Sequence, residues 1–226
     1  MKVRMLGNYA VLQATAEANE VARQNASRKL LARAKDPAIV DREGRDKLLS
    51  SGEVVSEMNI LRYTEIQFGL YRGQNFHWIL ENAVGWAVGF LKSYRREGVH
   101  NDSPLGVNKY KFDNFCSRIP EIERAVAFSI KVEAANKIVA QTGDDGHRLV
   151  EFGRYSDMSW RELYESNDAK HVHFVHKYLL QKTDCRDGSK MDMFRKYCQL
   201  WESHKQPRQQ ASTTAVPESP GKWQRY

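Results

Sequence analysis

Apolar positions along the chain change their spacing several times, and each change marks an element. From about Asn8 to Lys35 the residues are mostly Ala, Glu, Arg, Gln and Leu, with a thin apolar stripe at Leu12, Val21, Leu30 and Leu31. This predicts a mostly solvated helix ended by Asp36-Pro37, because proline removes a donor and crowds the preceding turn. From Asp41 to Glu57 charge, Ser and Gly dominate, which predicts a connector with one helical turn.

The segment Ile66-Gln67-Phe68-Gly69-Leu70-Tyr71-Arg72-Gly73 then alternates in a way that predicts a strand closing in a glycine turn. Asn75 follows as a helix N-cap, with Phe76, Ile79 and Leu80 on one face. A second helix is expected from about Ala83 to Arg95, carrying Trp86, Phe90 and Tyr94 one turn apart. After a polar loop from Glu97 to Ser103, a third holds Phe112, Phe115 and Cys116. Pro120 suits the first turn of a long helix reaching about Gln141, with a broad apolar face including Ile122, Val126, Val132 and Val139. Gly143 ends it, and Asp144-Asp145-Gly146 is a turn.

The first pattern then returns. Val150-Glu151-Phe152-Gly153-Arg154-Tyr155 predicts a second strand, and Ser159-x-x-Glu162 is a capping box ahead of another helix. A final helix starts near Ser189, with Met191, Phe194, Cys198 and Trp201 in helical spacing. Beyond Ser203 the Gln, Ser, Thr and Pro content predicts a disordered tail, 204–226.

Shifted by 84 residues, the two segments align without a gap. Phe68, Gly69, Tyr71, Glu81, Val88, Phe90 and Tyr94 meet Phe152, Gly153, Tyr155, Glu165, Val172, Phe174 and Tyr178, and Phe76 meets Trp160. After a two-residue change in length, Gly106, Phe112, Phe115 and Cys116 meet Gly188, Phe194, Tyr197 and Cys198. Coincident caps, aromatics and glycines argue for a duplicated unit. Neither copy alone is large enough to be comfortably stable, so the two are expected to pack together through the Pro120 helix. The expected fold is α+β and α-rich: two tandem strand–helix–helix–helix modules at 61–119 and 143–203. A linking helix spans 120–142, and an N-terminal helical region with its connector spans 1–60.

The motif Phe68-Gly69-Leu70-Tyr71-Arg72-Gly73-Gln74, and its more distant copy from Phe152 to Met158, resembles a small module at the C-terminus of exodeoxyribonuclease X-like proteins. It is similar also to the bacterial quorum-sensing-regulated virulence factor family. Such modules read Phe-Gly-Lys-Tyr-Lys-Gly-Lys, then a helix, then an aromatic-rich second helix. Here Leu70 and Gln74 replace lysines of the first copy, and Asp157 replaces the second glycine of the other. The resemblance covers roughly Ile66 to Tyr94 and Val150 to Leu179. It implies a structural core of Phe68, Gly69, Tyr71, Phe76, Phe90, Phe152, Gly153, Tyr155, Trp160 and Phe174, and association with DNA-processing domains.

Composition narrows the function classes. Hydrophobic residues make up 41% of the chain, enough to bury a core, so disorder throughout is excluded. Lys and Arg outnumber Asp and Glu, and the formal net charge of +7 favours acidic partners. Cys116, Cys185 and Cys198 form neither a disulfide framework nor a zinc spacing, which predicts reduced thiols in an intracellular protein. No secretory leader is read at Met1–Gly7, and the apolar run from Ala83 to Leu91 is too short to span a bilayer. No membrane partner and no cofactor are expected.

Candidate chemistry is thin. Of His171, His173 and His176, a helix puts His173 and His176 on one face, but a metal site needs three or four converging ligands and only Cys185 is an obvious further candidate. Asp144, Asp145, Asp184 and Asp187 are carboxylates of the kind a two-metal nuclease needs, but they lie in turn-like loops where Asp is favoured anyway. Tyr94-Arg95-Arg96 and Lys109-Tyr110-Lys111 interleave basic and aromatic residues, as single-strand binders do. The leading expectation is a non-enzymatic module binding DNA or RNA through backbone phosphates, using Arg72, Arg95, Arg96, Lys109, Lys111 and Arg154. A protein-interaction scaffold, with a partner engaged by the N-terminal helix, is the alternative; a divergent nuclease is the third.

Overall fold

The computed structural model describes residues 5–6, 9–27, 33–98 and 101–205. The expected tail from 206 onward, the stripe residues Leu30 and Leu31, and part of the Glu97–Ser103 loop lie outside the described residues. The fold is helical, which corrects the α+β expectation. The only ladder among the described residues pairs Met5–Leu6 (β1) with Tyr9–Ala10 (β2). The helices are α1 (Ala16–Ser27), α2 (Pro37–Ser50), α3 (Glu57–Tyr63), α4 (Phe76–Asn82), α5 (Val84–Glu97), α6 (Pro104–Ser117), α7 (Pro120–Thr142), α8 (Trp160–Glu165), α9 (Ala169–Val172) and α10 (Lys190–Lys205). A π-helical stretch, His173–Leu179, continues α9. The chain divides into two compact units, Met1–Lys131 and Val132–Tyr226.

Neither predicted strand forms. Each becomes a turn held by a single bridge, Glu65 with Asn75 and Leu149 with Ser159. The glycine decides this: Gly69 and Gly153 have φ of 68° and 63°, a left-handed conformation that glycine adopts at little cost. The chain therefore folds back on itself. Ile66 N–H donates to Gln74 O at 2.7 Å and Phe76 N–H to Thr64 O at 2.9 Å. In the second unit, 84 residues on, Val150 N–H donates to Met158 O at 3.0 Å and Trp160 N–H to Arg148 O at 2.7 Å. Asn75 Oδ1 accepts from Trp78 N–H, and Ser159 Oγ from Glu162 N–H, with the capping box complete in the second case. The apolar alternation read as a strand serves instead to point Ile66 and Tyr71, and likewise Val150, into the cores.

The first core gathers Ile66, Phe76, Ile79, Leu80, Leu91, Phe112, Phe115 and Cys116 around α4, α5 and α6, closed by Ile119, Ile122 and Val126. The second gathers Val150, Trp160, Leu163, Tyr164, Val175, Phe194, Tyr197 and Cys198 at the matching positions. Corresponding ring pairs are retained: Phe76 with Phe112 at 5.0 Å and Trp160 with Phe194 at 5.8 Å; Phe90 with Tyr94 at 5.4 Å and Phe174 with Tyr178 at 5.8 Å. Phe68 and Phe152 are only partly buried, at the edges of their cores rather than within them.

Two further expectations are corrected. The stretch read as a connector is helical: Asp36 accepts from Ala38 N–H and Pro37 opens α2, whose Val40, Gly44 and Leu48 form a narrow buried stripe. One of its three members is glycine, which adds no apolar signal to the sequence, and it lies where α2 meets Thr64 and the Ile60 carbonyl. The N-terminal helix spans only α1 among the described residues. It docks on the first unit through buried Ala18, and Asn25 Nδ2 donates to the carbonyls of Leu70 and Arg72.

Candidate functional site

The basic side chains singled out by pattern fall into different situations. Arg95, on α5, is held by Asp113 at 2.6 Å and by both oxygens of Glu123 at 2.9 and 2.6 Å. The Glu123 hydrogen bonds, followed by that of Asp113, raise its pKa against the opposing cost of burial. Lys111 Nζ donates to both oxygens of Asp41, at 2.5 and 2.6 Å. These two cations therefore join helices within the first unit. Arg72 donates to the Arg33 carbonyl at 2.9 Å. Arg96 and Arg154 are exposed. Lys109 stands 5.9 Å above the centre of the Phe68 ring.

Lys109 and Phe68 belong to an open cleft of about 530 Å³ between the Gly69 turn, α5 and α6, with Gly69, Trp86, Gly89, Phe90, Ser93 and Leu105 as its other walls. The aromatic wall is ordered. Phe68 lies 4.6 Å from Phe90 and 5.8 Å from Trp86, and Trp86 and Phe90 stack at an interplanar angle of 14°. Tyr71 backs Trp86 edge-on at 5.3 Å. No local pattern points to this cleft, because its walls come from three separate segments. One signal was available in the repeat: the framework residues match between copies, whereas Trp86, Gly89, Leu105 and Lys109 stand where the second copy has Lys170, His173, Asp187 and Met191.

The remaining candidates are engaged locally. Asp144 accepts from Gly146 N–H and pairs with Arg161; the Gly146 amide first, and then Arg161, hold its carboxyl below the usual range. Asp145 pairs with Arg148, Asp184 with Lys182 and Asp187 with Lys196. Each carboxylate thus meets a base rather than another carboxylate. His171 Nδ1 lies 2.8 Å from Ser166 Oγ, His176 lies 3.7 Å from Glu202, and His173 is exposed. Among the described residues no group of three or more His, Cys, Asp or Glu is placed to hold a metal ion, and no helix is long and apolar enough to cross a membrane. Burial pushes the Cys116 thiol well up and that of Cys198 up to about 12, so both are poor nucleophiles at neutral pH. No protein-family model, curated protein or solved structure matches the chain.

Proposed function

We propose that the protein is a non-enzymatic, intracellular nucleic-acid-binding protein with little sequence specificity. The observation that carries this reading is the placement of Lys109 over the Phe68 ring at an open cleft lined by aromatic rings, a cation beside side chains of the kind on which bases stack. The net charge of +7 supports it, as does the resemblance of Phe68–Gln74 to modules that accompany DNA-processing domains. Exposed Arg96 and Arg154 supply further phosphate contacts; Arg95 and Lys111 are committed to carboxylates and contribute little.

A second reading, a protein-interaction scaffold, is favoured by one specific feature. Leu49, Val54 and Val55 are 57%, 80% and 47% exposed at the junction of α2 and α3. Binding of labelled single strands and duplexes, followed by anisotropy from about 50 to 200 mM salt, separates the two. The nucleic-acid reading requires affinity that falls with salt as counterions are recaptured. Absence of binding to any strand at low salt would leave the scaffold reading in its place.

A further inference from the structure

We infer that the Phe68–Trp86–Phe90 cleft of the first unit is the stacking site for an unpaired nucleobase, with Lys109 taking the adjoining phosphate, and that the second unit keeps the framework without the site. This rests on the nucleic-acid reading above and names where it operates.

Three observations carry it. The walls include the half-buried rings of Phe68, Trp86 and Phe90, and the floor is open at Gly89, where an added Cβ would meet nothing within 4 Å. The charge at the rim is complementary to a phosphate. Lys109 stands over Phe68, and Arg96 lies one turn beyond Ser93 on the same face of α5. The nearby carboxylate Asp113 is already held by Arg95. The core of an interface for another protein is normally depleted in lysine, whereas a cation set among stacking rings is how single strands are held.

The third observation is the internal comparison. Both units bury the same framework, and four positions around the cleft differ between them. The second unit has exposed Lys170 in place of Trp86, exposed His173 in place of Gly89 and exposed Asp187 in place of Leu105. Met191, in place of Lys109, packs against the second core. Its Tyr155 turns to Phe174 at 5.2 Å and His171 at 4.8 Å, where Tyr71 of the first unit backs Trp86.

The test uses the full chain and two labelled probes of equal length and charge, an oligothymidylate of about 15 nucleotides and an abasic strand. The wild type is expected to prefer the thymidylate by about tenfold or more, since the abasic strand offers phosphates without bases. Gly89→Leu fills the cleft from a position with space for a side chain and should abolish that preference. His173→Leu, at the matching position of the second unit, should leave it unchanged. Leu105→Asp is the second variant, should Gly89→Leu melt early by circular dichroism; it should weaken thymidylate binding by a similar factor. If wild type and Gly89→Leu prefer the thymidylate equally, or if the wild type binds both strands alike, the cleft is not a stacking site although the nucleic-acid reading stands. If the wild type binds neither strand at low salt, both fall together.

Discussion

Gly69 lies so close to Trp86 that an added Cβ would sit 2.6 Å from the indole Cζ2, whereas an added Cβ at Gly153, 84 residues later, would meet nothing within 4 Å. Both glycines have positive φ, so alanine at either costs about 1–2 kcal/mol in backbone strain. Gly69→Ala must also displace Trp86 from its place between Tyr71 and Phe90. Chemical denaturation should therefore show a larger loss for Gly69→Ala than for Gly153→Ala, and only the former should shift the tryptophan emission. Equal losses and unchanged emission would show that the Trp86 contact yields freely.

Asn108 is a second point where side-chain chemistry fixes the turn. It is 4% exposed; its Oδ1 accepts from Gln67 N–H and its Nδ2 donates to the Glu65 carbonyl, both at 2.9 Å. Asn108→Leu leaves both buried backbone groups unpaired, at a cost of about 2–4 kcal/mol. Asn108→Asp keeps the acceptor for Gln67 but sets a buried carboxylate against the Glu65 carbonyl, so it should lose stability as well. Urea melts of Asn108→Leu that match the wild type would show that water takes over the role.

Phe76 and Phe68 separate stability from binding. Phe76 is fully buried between Phe112 and Phe115, so Phe76→Ala should cost about 3–5 kcal/mol. Phe68 is partly exposed at the cleft, and Phe68→Ala should cost less than that while weakening oligothymidylate binding. Loss of binding in Phe68→Ala without global unfolding is the expected outcome, checked by parallel denaturation and anisotropy.

What could be read from residue order was what is local. The caps at Asn75 and Ser159 each need one side chain and one amide three residues ahead, so four residues disclose them. The repeat was legible for the same reason, as a string of matching positions. The strands were misread because alternation at Ile66, Phe68 and Leu70 looks alike in a strand and in a turn; only the sign of φ at Gly69 separates them. The α2 stripe was missed because Gly44 adds no apolar signal. The cleft needed Phe68, Phe90 and Lys109 together, which no local window contains. Arg95 and Lys111 looked available because Glu123 and Asp41, which hold them, lie 28 and 70 residues away in the chain.

The second unit should be acid-sensitive through Asp192. Its carboxylate is almost wholly buried and accepts from Lys196 and from Gly188 N–H. Lys196 first, and then the Gly188 amide, pull its pKa from 3.8 down to about 2. A carboxylate whose folded pKa is depressed stabilises the protein above its unfolded pKa, and that contribution is lost as pH falls through the folded value. Melting temperature should therefore drop between about pH 4 and pH 2 in the wild type. Asp192→Asn should melt lower at neutral pH and show a shallower drop over that window. Parallel curves for the two proteins would assign the acid transition to other groups.

Salt dependence can tell apart cations that face solvent and cations already spoken for. Each lysine or arginine that neutralises a phosphate on a single strand adds about −0.7 to the slope of log affinity against log salt. Lys109 is placed over Phe68 at the mouth of the cleft, and Lys109→Met should flatten the slope by about that amount. Methionine is the residue the second unit has there, and it suits a position beside an aromatic core. Lys111 is two residues further along α6, but both its short contacts go to Asp41. Removing it frees a carboxylate as it removes a cation, so Lys111→Met should leave the slope unchanged while lowering stability slightly. The pair differs little in sequence position and not at all in charge, so a difference between the variants reports geometry alone. Equal flattening by both would mean that the Asp41 pair opens when a strand binds.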